Sequence, residues 1–212
     1  MVLNYFNNPT VLIIASIVMV MALIFHNIAQ AWMASRYGDH TPKYQGFTQF
    51  DPQTHLEPMG VLFLFLLGFG WTKAVPVNSR NYSGRGRIEA LVWYTGPLAY
   101  LLVAAVSYTI AFVFLRAASA QLAQAFVVAG DVAVLHAVIN VFPVFPLDGA
   151  RAALAWGDRS VRQFVQQLAQ FGIIGFIVIF MLLSATGVTG AIMGFFRGAI
   201  LGGLSAIFNL FG

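Results

Sequence analysis

Four long apolar stretches, at about residues 11–34, 88–115, 121–145 and 164–186, leave this chain few ways to fold. A bilayer core of about 30 Å takes roughly 20 apolar residues in a spanning helix, and each stretch is long enough. Hydrocarbon offers no partner for a free N–H or C=O, so apolar spans of this kind must be helices. Composition agrees: 59% of the 212 residues are hydrophobic and 8% charged, against about 25% charged in a soluble domain. The chain reads as an all-α polytopic membrane protein with about four to five transmembrane helices in a single domain, residues 1–212. A fifth stretch, about 190–211, is glycine-rich and interrupted by Arg197, and it either spans or lies partly in the interface. Met1–Thr10 has no Lys, no Arg and no cleavage motif, so the first stretch is expected to be a retained helix.

The run Met59–Trp71 has 13 apolar residues, short for a span and suited to a re-entrant or interfacial segment. Charge supports the same reading. If 59–71 does not cross and the N-terminus is outside, nine basic residues face the cytoplasm: Arg36, Lys43, Lys73, Arg80, Arg85, Arg87, Arg151, Arg159 and Arg162. Only Arg116 and Arg197 are left out, a division the positive-inside rule favours. The net charge of +4 is scattered through loops with no basic run, which argues against a nucleic-acid partner. Asp39–Pro58 is turn-rich, and a short hairpin is expected around Lys43–Phe50, with Ala74–Asn78 as a second extended piece. Together these form a re-entrant or β-hairpin element over about 40–80. Non-helical backbone at membrane depth must be buried in protein or line a wet cavity, so a cavity is implied.

Polar residues inside the apolar stretches say where that cavity lies. His26, Asn27 and Gln30 interrupt a helix otherwise made of Ile, Val, Met, Ala, Leu and Phe. His26 and Gln30, four apart, share one face. His26 precedes Arg36 by ten residues, roughly 15 Å from the helix end. Polar groups at that depth face a bundle interior, either bonding between helices or marking function. A second set, Asn140 to Gly149, carries Pro143 and Pro146, which end a helix and force extended backbone before Asp148. Asp148 either faces the same cavity or caps the following helix. A third, Asp51 to Gly60, brings His55 and Glu57 to a polar turn that can line the cavity mouth. With no cysteine, a metal would need His, Asp, Glu or weaker oxygen donors.

FHNIAQAW, DPQTHLEPMG, GWTKAVPVN, TGPLAY and NVFPVFPLDGAR occur in that order between about residues 20 and 155. The ordered set resembles the motifs of the prokaryotic site-2 protease family, intramembrane zinc metalloproteases whose site opens to the cytoplasm. In that family an H-E-x-x-H helix supplies two zinc ligands and a general base, and the Asp of L-D-G supplies the third ligand. The resemblance implies metal positions at His26, Gln30 and Asp148, and a base position at Asn27. It also implies a substrate-recognition role for Asn140, and we assign His55, Pro143 and Pro146 to substrate binding. A bacterial or archaeal cytoplasmic membrane is the expected setting.

The same carry-over exposes departures. Asn27 is neutral and cannot take a proton from water, and general-base catalysis contributes about 10²–10⁴-fold. Gln30 offers an amide oxygen, a much poorer zinc ligand than imidazole. Tyr100 stands in GPLAY where the family often has Asn. The expectation is therefore a non-cleaving pseudoprotease that binds transmembrane segments of a membrane protein within the lipid bilayer, with zinc absent or weakly bound. The alternative is an active zinc protease, through substitute ligands such as His55, His136 or Asp131, or with positions 27 and 30 altered from the natural residues. A transporter or channel is a third class, against which there is no paired inverted repeat. Gly190, Gly194, Gly198 and Gly202, spaced by four, form a small-residue stripe expected to pack against a neighbouring helix of the chain. A homo-oligomer face is the other reading.

Overall fold

The computed structural model describes residues 7–210. Its first helix, α1 (Pro9–Arg36), begins where Asn8 Oδ1 accepts the Val11 N–H at 3.3 Å, with Pro9 supplying the helical φ of the first turn. Two one-turn helices follow, α2 (Thr41–Tyr44) and α3 (Pro52–His55), then α4 (Pro58–Leu67). At ten residues α4 is about 15 Å long, half of what a span needs. An extended return, residues 71–78, makes one antiparallel bridge, Leu56 to Thr72. The hairpin expected around Lys43–Phe50 does not form; that stretch is α2 and a series of turns, because Pro42 sits at a helix start rather than in a strand.

The core is built from α1, α5 (Arg85–Arg116) and α6 (Ala120–Val141). Their facing residues are small: Ala15, Ala22, Ala104, Ala125, Ala129 and Ala133 are all buried, which lets these helices approach closely. Gln121 Nε2 donates to Asn8 Oδ1 at 2.7 Å, pinning the start of α6 to the start of α1. α6 is the most enclosed span. Beyond it come α7 (Asp148–Trp156), α8 (Arg159–Ala169), α9 (Gly172–Ala185) and α10 (Val188–Leu210). The fold is thus all-α and polytopic, with four helices long and apolar enough to span, or five if α8 and α9 count as one broken span.

Two expectations change at this end of the chain. The stretch 164–186 is not one straight span: α8 and α9 meet at 104°, where Gly172 adopts φ +53, a left-handed value that glycine tolerates. The stretch 190–211, which by sequence either spans or lies partly in the interface, forms the long helix α10 as far as Leu210. The glycine stripe of α10 packs against nothing among the described residues, since a Cβ at Gly190, Gly194, Gly198 or Gly202 would meet none of their atoms within 4 Å. α10 docks instead through its other face, Ile192, Met193, Phe196, Ile200 and Leu204. Arg197 Nε adds an ion pair with Asp131 Oδ1 at 2.8 Å, and Tyr108 donates to the same oxygen at 2.7 Å.

Candidate functional site: a polar cavity among the spans

α1 carries His26, Asn27 and Gln30 into the interior, each almost wholly buried. They line a cavity of about 60 Å³, room for about two waters. Its other walls are Phe69, Gly70 and the extended return as far as Val75, Trp93 and Tyr100 of α5, and the segment from Asn140 to Asp148 with Arg151 beyond it. Gly96 makes this closeness possible, because a Cβ there would overlap the His26 ring and the Gln30 amide.

Each amide of α1 is committed to the wall. Asn27 Nδ2 donates to the Lys73 carbonyl at 2.9 Å, and Asn27 Oδ1 accepts from the Thr72 hydroxyl at 2.9 Å. Gln30 Nε2 donates to the Trp93 carbonyl at 3.0 Å. A carbonyl can only accept, so Lys73 and Trp93 fix which end of each amide faces them. Asn27 therefore cross-links α1 to the return segment, and Gln30 cross-links α1 to α5.

His26 and Asp148 behave differently. His26 Nε2 and Asp148 Oδ2 stand 3.1 Å apart, yet neither His26 Nδ1 nor Asp148 Oδ2 makes an aligned hydrogen bond to the protein. Adjacent ligand atoms on a tetrahedral zinc with bonds of about 2.0–2.1 Å lie about 3.3 Å apart. The pair keeps the spacing of two neighbouring ligands. A catalytic zinc needs a third protein donor, and among the described residues no group of three His, Cys, Asp or Glu side chains converges. The donors present do not fit a catalytic zinc.

The candidate substitute ligands are occupied elsewhere. His136 Nε2 accepts the Gly70 N–H at 3.1 Å while Nδ1 bonds the Val132 carbonyl at 2.8 Å, using both nitrogens. Asp131 is taken by Arg197 and Tyr108. His55, expected at the cavity mouth, lies outside the lining: it is fully buried, bonded through Nε2 to the Gln49 carbonyl at 2.8 Å and edge-on to Phe47. Burial holds its imidazole below the usual histidine range. Its own carbonyl accepts the Lys73 N–H at 2.8 Å, so it supports the return segment from behind. Pro146 lines the cavity and Pro143 does not. Asn140 lines it with its Nδ2 turned back to the His136 carbonyl at 2.9 Å.

Sequence reasoning passed over several members of this wall. Thr72, Lys73 and Trp93 hold the two amides, and Arg151 stacks its guanidinium on the Trp93 ring at 4.7 Å. Thr72 and Lys73 belong to GWTKAVPVN, and the depth of Asn27 in α1, which demands a bonding partner for each end of its amide, is the signal that something must face it. The return segment is anchored outside the cavity by Asp39, fully buried, which accepts from Asn78 N at 2.7 Å and Asn81 Nδ2 at 2.9 Å. Burial alone would raise this carboxyl, but the hydrogen bonds from Thr41, Asn78 and Asn81 outweigh it and hold the group below the usual aspartate value.

The long apolar spans, with a polar cavity among them, describe an integral membrane protein. Two bacterial proteins that carry the name "Putative zinc metalloprotease" are similar to the chain. YwhC of Bacillus subtilis is 30% identical over 200 residues, covering 91% of each chain. Rip2 of Mycolicibacterium smegmatis is 26% identical over 168 residues, covering 77% of this chain and 63% of its own. No family model matches the chain, and no solved structure matches it. At this identity and coverage the chain belongs to the site-2-protease-like family of membrane zinc metalloproteases.

Proposed function

We propose that the chain is a non-cleaving member of this family that holds an extended segment of a membrane protein against the cavity. The observation that carries the reading is the use made of positions 27 and 30. Both are neutral amides tied into the wall as cross-links, which leaves one imidazole and one carboxylate as donors and no proton acceptor at position 27. Zinc is then absent or weakly held. Ala74–Val77 supports the binding part: its backbone N–H and C=O groups have no hydrogen-bond partner among the described residues, and Ala74 and Val75 line the cavity. Such an edge takes an added strand through main-chain bonds, while pockets beside it read the side chains. Asn140 and Pro146 stand where those side chains would lie. The excess of basic residues on the loops beside the cavity supports a cytoplasmic opening.

A second reading, an active zinc protease, is favoured by the unaligned 3.1 Å pair of His26 and Asp148. Zinc content separates the two. The purified chain is expected to hold far less than one zinc, whereas Asn27→Glu with Gln30→His is expected to hold about one, the third donor completing the set. Stoichiometric zinc in the unaltered chain, with cleavage of a transmembrane substrate, would overturn the proposal.

A further inference from the structure

We propose that the face between α1 and α5 binds one anionic glycerophospholipid, separately from the polar cavity. Two adjoining hollows of opposite chemistry carry the inference. The first, about 710 Å³, is a groove walled by Val18, Phe25 and Trp32 on α1 and by Ala99, Leu102 and Val106 on α5, with Ser107 as its one hydroxyl. From Val18 to Trp32 it runs about 21 Å along α1, close to the depth of one leaflet with its headgroup layer. The second, about 680 Å³, continues from it through the shared residues Ala29 and Trp32, and is lined by Arg36, Lys43, Thr48 and Thr95.

The second hollow has two cations and no acid in its lining, and neither Arg36 nor Lys43 has an ion-pair partner among the described residues. Asp39, the nearest acid in sequence, is turned away and consumed by Asn78, Asn81 and Thr41. A guanidinium fork with an ammonium beside it is the donor set that phosphate oxygens take. Basic pockets at the ends of spanning helices bind anionic headgroups. Trp32, 66% exposed at the junction, is the amphipathic ring expected at headgroup level. An acyl chain fills the apolar groove, and its phosphate sits between Arg36 and Lys43. A soluble anion would satisfy the cations and leave the groove unused, so the combination selects a lipid.

The full chain, purified in a neutral detergent, is titrated with phosphatidylglycerol, phosphatidylcholine or inorganic phosphate, and bound lipid is counted by native mass spectrometry. One phosphatidylglycerol per chain is expected to be retained in preference to phosphatidylcholine and not displaced by phosphate. Arg36→Gln with Lys43→Gln is expected to weaken it roughly 30-fold, each cation near a headgroup contributing about 1 kcal/mol. Arg80→Gln with Arg159→Gln, exposed cations elsewhere, leaves binding unchanged. Ala29→Trp, which fills the junction and keeps both cations, abolishes it. Equal retention of the two lipids, displacement by phosphate alone, equal loss in the Arg80 and Arg159 control, or full binding by Ala29→Trp would each overturn the proposal.

Discussion

Asn27 shows what an amide can do at this depth that a carboxylate could not. A carboxylate there could accept from Thr72 but would face the Lys73 carbonyl with no proton to give; the amide satisfies both neighbours. Gln30 does the same towards Trp93. Away from the cavity, Asp39 makes the clearest pH prediction. Its carboxyl is held below the ordinary aspartate value, so the stability it contributes is fully present above about pH 5 and is lost as pH falls through the lowered folded value. The difference in unfolding midpoint between the unaltered chain and Asp39→Asn is expected to be constant from pH 5 to 8 and to shrink below about pH 4. A gap that stays open at pH 3 would mean that Asp39 acts through shape rather than charge.

At the scale of elements, α1, α5 and α6 were legible because length and apolar content alone decide a span. The break between α8 and α9 was not, since hydropathy counts apolar residues without noticing a backbone reversal at Gly172. The hairpin was misread because turn-rich sequence serves a one-turn helix as well as a β-turn. For the cavity, the polar residues of α1 and the Asp148 segment could be picked out along the chain. Their partners on the return segment could not, because main-chain carbonyls carry no sequence signature. The outward glycines of α10 were misassigned for a related reason: spacing by four shows that a face is narrow, not which way it points. With no atom within 4 Å of a Cβ at Gly194 or Gly198, alanine there costs no packing. Removing backbone freedom is expected to stabilise the helix by about 0.5–1 kcal/mol per site, read from denaturation in detergent. Destabilisation together with a change in oligomeric mass would instead show that a second chain covers the stripe.

Across the whole molecule, α10 is the most loosely packed span, and its attachment depends on charge. Arg197 and Asp131 lie in apolar helices, with side chains 48% and 38% exposed. Arg197→Leu leaves Asp131 without its cation, at a cost of roughly 2.5–3.5 kcal/mol for a charge near a helix centre. Adding Asp131→Asn is expected to recover most of the loss in unfolding midpoint, a coupling that two independent substitutions would not show. The pair also has a consequence for how the protein is made. A nascent α10 presents an arginine that hydrocarbon disfavours by roughly 2.5–3.5 kcal/mol at a helix centre, while Asp131 in α6 reaches the bilayer earlier in synthesis. The arginine of α10 is therefore matched by a counter-ion on α6, a helix that precedes it in the chain, so that neither charge has to be neutralised when the two helices meet.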